Sequence, residues 1–327
     1  MSIISQLEAS TQKWYLLKSK NGAIDLYSEL SFLLNYFIKQ KKGMFKRPGG
    51  GRLISVPVQY DDAGGGFFSR GDSLDSTDRD IITEIQFAWK NIFSNATFYW
   101  TDNLDNMGAE KIVDLLAVKL QAAVTKHEAT MATSMYAGLE GDTENFTGLQ
   151  SLTDATATVD YGGYSSNDIV SEDGTKVWTG KETDSATVIS TNAIRTGKTA
   201  AAYGKGKKLE PDLMVTTETN FNTLRAVLEP KQKFTEMTSM SEPVKAGFNG
   251  VRFEGTDVFP DRFCTASNGY LLNSDHVGFA FHKNALQHRK PWAEIQGSAG
   301  DRTMKILSRG NLISDNRRAN YRWSSLS

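Results

Sequence analysis

Residues 105–136 read DNMGAEKIVDLLAVKLQAAVTKHEATMATSMY, the only long stretch of the chain whose apolar residues keep a helical period without interruption. Steps of three or four between apolar side chains are typical of one amphipathic helix. Asp105 and Asn106 can cap its start and Gly138 follows its end, so the sequence predicts a rod of roughly 45 Å. Taken alone, the stretch also fits the core helix of an ordinary globular domain. The predicted apolar stripe is Ile112, Leu116, Leu120, Val124, His127, Met131 and Met135.

The composition is that of a globular protein with a sizeable core. Of 327 residues, 39% are hydrophobic and 10% aromatic, a length that allows two or three domains. The formal net charge of -1 argues against a dedicated polycation, although the ends are basic and the middle is acidic. The single cysteine, Cys264, excludes an internal disulfide framework and is predicted to be buried. No apolar run reaches membrane-spanning length, and the N-terminal residues lack the apolar core of a signal peptide.

Upstream of the helix, two alternating segments predict a long β-hairpin. Its connection, 61–80, is rich in Gly, Ser and Asp and carries Phe67 and Phe68 at the tip. An isolated two-stranded ribbon is only marginally stable in water, so we expect the hairpin to lie on another surface, as in an assembly protein. A long active-site flap is the alternative. The residues expected on the apolar faces are Ile54, Val56, Val58 and Tyr60 in one strand and Ile81, Thr83, Ile85, Phe87 and Trp89 in the other.

The segment before the hairpin is predicted to be a helical arm with a basic end. Apolar residues recur at helical spacing over 3–17 and 24–37. Both a solvated charged face and contact with the phosphates of enclosed nucleic acid fit the basic residues that follow. These residues are Lys39, Lys41, Lys42, Lys46 and Arg47.

Downstream of the helix, the sequence predicts an irregular acidic segment over 140–184 and then an α/β unit. A further strand, Ala96–Trp100, is expected to lead into the long helix. The predicted parts of the α/β unit are a Gly-Lys loop (Lys198–Lys208), a buried strand (Leu213–Val215), a helix capped by Asn220 with Phe221, Leu224 and Leu228 on its apolar face, and strands over Val251–Phe259 and Gly269–Leu272.

The sequence contains no constellation that points to catalysis, a cofactor or a metal. The glycine triplets at 49–51 and 64–66 lack the Lys-Ser/Thr that a phosphate loop requires. His276, His282 and His288 are six residues apart, a spacing that separates them on a helix or a strand, so no zinc site is predicted. His127 is predicted to be a hydrogen-bonded core histidine.

The order of these parts resembles the major capsid proteins of tailed bacteriophages with the Hong Kong 97-type fold, an α+β fold. The resemblance covers nearly the whole chain and depends on the order and spacing of short motifs. The matching parts are the hairpin Arg52–Lys90, above all Gln86–Lys90; the helix Met107–Tyr136; Gly141-Asp142 with Phe146–Leu149; Tyr161–Gly163 with Trp178; Pro211–Thr216; Gly310–Ile313; and Asn316–Ala319.

The resemblance implies a division of the chain into six segments and a structural, non-enzymatic role without cofactor or metal. The segments are an N-terminal arm (1–47), an extended loop hairpin (48–92), a peripheral domain (93–155) with a spine helix (106–137), an irregular acidic peripheral/axial connection (156–194), an axial domain (195–300) and a return to the peripheral domain (301–327).

The resemblance also implies a virion subunit, assembled in the host cytoplasm, that forms the hexamers and pentamers of an icosahedral head around double-stranded DNA. Expected partners besides itself are a separate scaffolding protein, a portal and, in some shells, a cement protein; no membrane is involved. Expected inter-subunit contacts in the extended loop are Arg52, Tyr60, Phe67, Phe68, Arg70 and Trp89, and expected DNA-facing residues are Lys13, Lys39, Lys41 and Lys42.

Two departures from the type member of the family narrow this expectation. The type member has a scaffolding domain before its extended loop that a protease removes, whereas only a short segment precedes Gly49, so we expect no N-terminal processing. It also cross-links through a lysine in that loop, and residues 48–89 contain no lysine, so we expect a non-covalent shell. The alternatives are an encapsulin-like nanocompartment, which encloses enzymes, and a hydrolase with residues 61–80 as a flap over an acidic site.

Overall fold

The computed structural model describes residues 31–39, 46–63, 65–74, 77, 79–105, 115–204, 209–229, 250–298 and 300–326. The helices are α1 (Phe32–Leu34, continued by a π-helical turn, Asn35–Lys39), α2 (Trp100–Asp105), α3 (Leu115–Ala137), α4 (Leu149–Thr153), α5 (Thr191–Ala200) and α6 (Glu218–Leu228). The strands are β1 (Leu53–Gln59), β2 (Ile82–Ala88), β3 (Lys90–Phe98), β4 (Glu182–Thr183), β5 (Leu213–Thr216), β6 (Val251–Phe253), β7 (Thr256–Pro260), β8 (Gly269–Leu272), β9 (Val277–Phe281), β10 (His288–Arg289), β11 (Ala293–Glu294), β12 (Arg302–Ser314) and β13 (Tyr321–Trp323).

This mixture of helix and sheet confirms the predicted α+β class. By compactness the chain divides into two units. In the described part of the chain, the first unit comprises 91–131 and 284–309, and the second comprises 31–90, 132–283 and 310–326. None of the helices in the described ranges is both long and apolar enough to cross a membrane.

The first unit is a small sheet covered on one face by α3. Strand β12 pairs with β3, and antiparallel with β10 and β11. Every second residue of β12 faces the helix, so Met304 and Ile306 pack with Ala96 of β3 and Ala123 of α3. Residues of period two on one side of a sheet and of period 3.6 on a helix meet in this way to form a core.

The second unit contains a six-stranded sheet in the order β4-β13-β8-β5-β7-β6, with α5 and α6 packed on it. Strand β5 is buried along its whole length, as the predicted strand Leu213–Val215 requires. The predicted apolar face of α6 is also confirmed. The core residues include Ile194, Met214, Phe221, Leu224, Leu228, Val258, Leu271 and Trp323.

Three local predictions in this unit are wrong. Helix α6 is capped by the Thr217 hydroxyl, which accepts from the Asn220 amide at 3.4 Å, while the Asn220 side chain donates to the Leu326 carbonyl at 3.2 Å. Lys198 lies in α5 and not in a loop, because the Ser190 hydroxyl caps a helix that runs through it. The segment 251–259 is two strands, because Glu254 and Gly255 adopt positive φ values of 47° and 82° and reverse the chain between β6 and β7.

The long helix and the strand before it also differ from prediction. Strand β3 begins at Lys90, well before Ala96, and Trp100 is the first residue of α2. Residues 106–114, where the long helix was predicted to begin, lie outside the described residues. His127, Met131 and Met135 are buried as predicted. The last turns of α3 are buried on most sides instead of along one stripe, since the neighbouring side chains Ala132, Ser134 and Tyr136 are buried too.

The end of the predicted arm belongs to the core of the second unit. Residues Ser31–Phe37 are buried, and the Phe32 ring stacks on Phe259 with centroids 3.9 Å apart. The Ser31 hydroxyl and the Leu33 amide donate to the buried Asp261 carboxylate at 2.7 and 3.1 Å. The turn that precedes the basic run is therefore part of the core, where the rings of Phe32 and Phe259 are buried against each other.

Candidate functional site

The glycine-flanked hairpin, predicted as the part of the chain that needs a partner surface, is present. Strands β1 and β2 pair antiparallel from Leu53 opposite Ala88 to Gln59 opposite Ile82. Burial alternates along both strands as predicted: Ile54, Val56, Ile85 and Phe87 are buried, and the residues between them are exposed or half-buried.

The root of the hairpin, defined here as β1 and β2, is covered on its apolar face by its own chain. The Phe87 ring meets the Tyr161 ring edge-on at 5.1 Å, and the Gln86 amide donates to the Gly162 carbonyl at 3.0 Å. Gly162 has φ +66°, and a Cβ there would lie 2.1 Å from Cγ2 of Ile85, so this position requires glycine. The expectation that the whole hairpin lacks a surface of its own is therefore wrong for its root.

The segment that covers the root, defined here as residues 151–178, includes Tyr161 and Gly162. The buried side chain of Arg317 holds this segment at its two ends. Arg317 donates to the carbonyl oxygens of Leu152 and Ser151 at 3.1 and 3.0 Å, and to those of Trp178 and Asp154 at 3.3 and 3.0 Å. Burial lowers the pKa of Arg317 to about 10, so the guanidinium remains charged at neutral pH. Its five fixed N–H donors suit a ring of carbonyl acceptors.

The sequence analysis missed the role of Arg317. It lies in the motif Asn316–Ala319 beside Arg318, which instead stacks over the half-exposed ring of Tyr203 at 3.8 Å. Nothing in the local sequence distinguishes the two arginines. Only the distant carbonyl groups of residues 151–178 identify which one is buried.

The connection between the hairpin strands is fastened to the chain at its two ends. At one end, the Asp61 carboxylate accepts from the Ser171 hydroxyl at 2.6 Å and from the Glu172 amide at 3.0 Å. These hydrogen bonds, chiefly that from Ser171, lower the pKa of Asp61. At the other end, Arg79 forms an ion pair with Glu172.

Between these anchors lies the hairpin tip, defined here as residues 65–74, and every residue of it is exposed. Phe67 is fully exposed, and the side chain of Phe68 is 68% exposed. Leu74 is also exposed. Large apolar side chains this close together on a surface mark interaction sites more often than solvent-facing loops.

The six predicted contact residues fall in two places. Phe67, Phe68 and Arg70 are together at the exposed tip. Tyr60, Trp89 and Arg52 directly flank the strands of the root: Tyr60 and Trp89 are half-buried, the Trp89 indole donates to the Gly51 carbonyl at 3.1 Å, and Arg52 is exposed. Their role as inter-subunit contacts stays a prediction. Of the DNA-facing residues, Lys13, Lys41 and Lys42 lie outside the described residues, and only the backbone of Lys39 is described.

The titratable groups that could signal catalysis have structural partners. His127 bonds the Ser308 hydroxyl at 2.8 Å, and burial lowers its pKa to about 4, which confirms a neutral core histidine. Cys264 is buried, as predicted, and burial raises its pKa. In the described ranges, no group of three or more histidine, cysteine or acidic side chains is placed to hold a metal ion.

A cavity of about 320 Å³ lies against the root, lined by β1 and by Trp178, Tyr203 and His276. The carboxylate among the described residues that line it is Asp315, which pairs with His276 at 2.7 Å. The described lining of this cavity therefore does not form the acidic site over which the flap alternative places residues 61–80.

No family model matches the sequence, and no curated protein matches it. Solved structures do match over nearly the whole chain. The cyanophage A-1(L) capsid subunit aligns with TM-score 0.66 and 14% identity over 97% of this chain and 98% of its own. The capsid subunit of a native GTA particle aligns with TM-score 0.61 and 14% identity over 100% of both chains.

An encapsulin from Synechococcus elongatus, SrpI, aligns with TM-score 0.56 and 7% identity over 100% of this chain and 96% of its own. Two of these structures are capsid proteins and the third is an encapsulin, and each covers 97–100% of this chain. The predicted Hong Kong 97-type capsid fold is thus confirmed for this chain.

Proposed function

We propose that this chain is the subunit of a self-assembling protein shell and, more specifically, the major capsid protein of a tailed bacteriophage. The observation that carries the proposal is the hairpin: its root is covered by its own chain, while its tip exposes Phe67 and Phe68. The full-length likeness to phage and GTA capsid subunits supports it.

Burial at a neighbouring subunit supplies the energy for assembly. Covering a phenylalanine side chain is worth roughly 1.5–3 kcal/mol. A closed symmetric shell repeats each such contact around every symmetry axis, so contacts that are modest singly become strong in sum. The subunits accordingly form hexamers and pentamers of an icosahedral head around double-stranded DNA, with a separate scaffolding protein, a portal and, in some shells, a cement protein as partners.

The shell is non-covalent and the subunit performs no catalytic step and carries no cofactor. The proposal is supported by the absence of lysine from residues 48–89, which removes the amine that the type member of the family uses for cross-linking. The subunit is therefore expected to run as a monomer on a denaturing gel after boiling, and a ladder of covalent oligomers would contradict this.

Purification of the full chain tests the function directly. Size-exclusion chromatography and negative-stain microscopy are expected to show closed particles of megadalton mass, alone or with a coexpressed scaffold. A monomer or small oligomer under every condition would refute the proposal. It would favour the alternative of a hydrolase with residues 61–80 as a flap over an acidic site.

The likeness to SrpI encapsulin favours a second candidate, a nanocompartment around an enzyme. The contents of the particles separate the two candidates. Nuclease-resistant DNA in particles isolated from the natural source indicates a virion, whereas a copurifying enzyme without nucleic acid indicates a compartment.

A further inference from the structure

We propose that the cavity beside the hairpin root binds a small phosphate ester, with its phosphate on Arg318 and Lys181 and its organic part inside the cavity. The root cavity is defined here as the space of about 320 Å³ between β1, the covering segment 151–178 and the turn Arg317–Ala319. This binding site belongs to the unassembled subunit and goes beyond the proposed shell function.

Two positively charged side chains meet at the ring of Tyr203. Tyr203 and Arg318 both line the root cavity, and the Arg318 guanidinium lies 3.8 Å from the ring centroid. The Lys181 ammonium lies 5.4 Å from the same centroid. Within the described part of the chain, neither cation forms an ion pair with a carboxylate. An aromatic ring attracts a cation without neutralising it, so positive charge is left unbalanced here.

The Tyr203 hydroxyl responds to this charge. A hydrogen bond from Arg318 and the charges of Arg318 and Lys181 lower the pKa of Tyr203. Nearby positive charge favours the ionised form of an acid, and an anionic ligand would be favoured at this place for the same reason.

Backbone contacts hold the segments that carry these side chains. The side-chain amide of Asn316 donates to the Tyr203 carbonyl at 2.7 Å, which joins the chain beyond α5 to the turn Arg317–Ala319. The Lys181 carbonyl accepts from the Arg322 amide of β13 at 3.0 Å. Groups that are positioned before a ligand arrives lose little conformational freedom when it binds.

The root cavity offers room for an organic group next to the two cations. Its volume is at the lower end of the range for small-molecule sites, roughly 300–1,000 Å³. Val58, Val177 and Trp178 give it apolar walls. The carboxylate in its described lining, Asp315, pairs with His276 at 2.7 Å, so the two cations outnumber the carboxylate.

A phosphate monoester suits this arrangement better than other anions. It carries a charge of about −1.5 to −2 at neutral pH and three acceptor oxygens, so it can neutralise both cations. A carboxylate can neutralise only one of them. Arg318 can donate two parallel N–H groups to a phosphate, while Lys181 supplies a point charge. The phosphates of duplex DNA also suit the cations, but a polymer backbone leaves the apolar cavity empty.

Titration calorimetry of the full-length, unassembled subunit tests the site. The probes are phenyl phosphate, inorganic phosphate and uncharged benzyl alcohol. We expect phenyl phosphate to bind roughly tenfold more tightly than inorganic phosphate, because it also buries an apolar group, and benzyl alcohol not to bind. Arg318→Gln and Lys181→Gln are each expected to weaken the binding of phenyl phosphate by roughly tenfold.

Two further variants make the test specific. Lys176→Gln is the matched control, because Lys176 is an exposed lysine of the covering segment whose ammonium donates to the Asn167 side chain at 2.7 Å. It is expected to bind phenyl phosphate as the wild type does. Val58→Phe fills part of the root cavity and is expected to lower the affinity for phenyl phosphate to that for inorganic phosphate. Thermal unfolding without any probe checks that each variant folds.

Absence of phenyl phosphate binding at millimolar concentration, or binding that both glutamine variants retain, overturns the inference. Equal affinity for phenyl phosphate and inorganic phosphate, or unchanged binding in Val58→Phe, would place no organic group in the cavity and also overturns it. A DNA duplex that binds more tightly than phenyl phosphate and displaces it would assign the cations to nucleic acid, a third contradicting outcome. Failure of the site leaves the shell function standing, since shells are scored separately by microscopy.

Discussion

At the root of the hairpin, Phe87 is fully buried against Tyr161 of its own chain, whereas at the tip of the same hairpin Phe67 is fully exposed. The two rings belong to one continuous ribbon and differ only in what the chain provides to cover them. At the root, Gly162 lets the backbone approach closely and Arg317 fixes the covering segment. At the tip, the described chain provides no cover.

The difference separates folding from assembly within one element. The root contributes to the stability of the isolated subunit, because its apolar face is removed from water when the chain folds. The tip contributes to stability only when the surface of another molecule covers its apolar side chains. Four experiments test this division, ordered by the expected effect of the first variant named in each on the free energy of unfolding of the unassembled subunit.

Replacement of Arg317 by methionine is expected to have the largest effect. It leaves the buried carbonyl groups of Ser151, Leu152 and Trp178 without a donor, and we expect a loss of about 3–5 kcal/mol because each buried acceptor left unsatisfied costs about 1–3 kcal/mol. Urea unfolding of the unassembled subunit measures the loss. Arg318→Met is the matched control and is expected to cost less than about 1 kcal/mol, because its guanidinium lies over a partly exposed ring. Equal losses in the two variants would show that the covering segment does not depend on Arg317.

Phe87→Ala is expected to destabilise the subunit by about 3–4 kcal/mol, because it removes a buried ring and leaves a cavity at the root. Phe68→Ala makes the same chemical change at the tip and is expected to stay within about 0.5 kcal/mol of the wild type. The same urea titration compares them. Similar values for both would remove the distinction between root and tip.

Phe67→Asp with Phe68→Asp is expected to leave the stability of the subunit within about 0.5 kcal/mol and to abolish shells. Charges at an apolar contact oppose burial, while both side chains are exposed in the free subunit. Particle counts by microscopy measure the effect. Normal shells from this double variant would show that the tip is not a required contact.

Asp61→Asn is expected to have the smallest effect, confined to the start of the loop. It weakens the hydrogen bonds from Ser171 and Glu172 and is expected to raise amide exchange in residues 62–74 without changing the root. Because the pKa of Asp61 is lowered in the folded chain, the wild-type anchor is present above the ordinary aspartate pKa and is lost as the pH falls through the lowered value. Hydrogen exchange at neutral and acid pH measures this loss. Unchanged exchange in the variant would contradict the anchoring role.

The hairpin strands and the buried strand Leu213–Thr216 could be predicted from the sequence, because their signals are local. Alternation of period two places Ile54, Val56, Ile85 and Phe87 on one face whatever covers that face. The same alternation cannot tell whether the cover is the chain itself or a neighbour. That information lies in Tyr161 and Gly162, far along the sequence.

Competition between neighbouring signals explains the errors. Thr217 and Asn220 are both good helix caps, and tertiary contact of the Asn220 amide with the Leu326 carbonyl decides between them. The sequence predicted an arm that ends in a basic run, and it gave no sign that the turn before this run belongs to the core, where the Ser31 hydroxyl and the Leu33 amide donate to the buried Asp261 carboxylate. Arg317 could not be recognised because its partners are backbone carbonyls, which carry no sequence signal.

The closed root has a consequence for protein engineering. Strands β1 and β2 stay in register up to Gln59 opposite Ile82, and the Tyr60 amide still donates to the Ile81 carbonyl at 3.0 Å. The two stems of the loop are therefore fixed by the chain itself, and the residues between them form an exchangeable cassette. Doubling the length of such a cassette costs only about 0.6 kcal/mol in closure entropy. A foreign peptide grafted there would be displayed by a subunit that still folds.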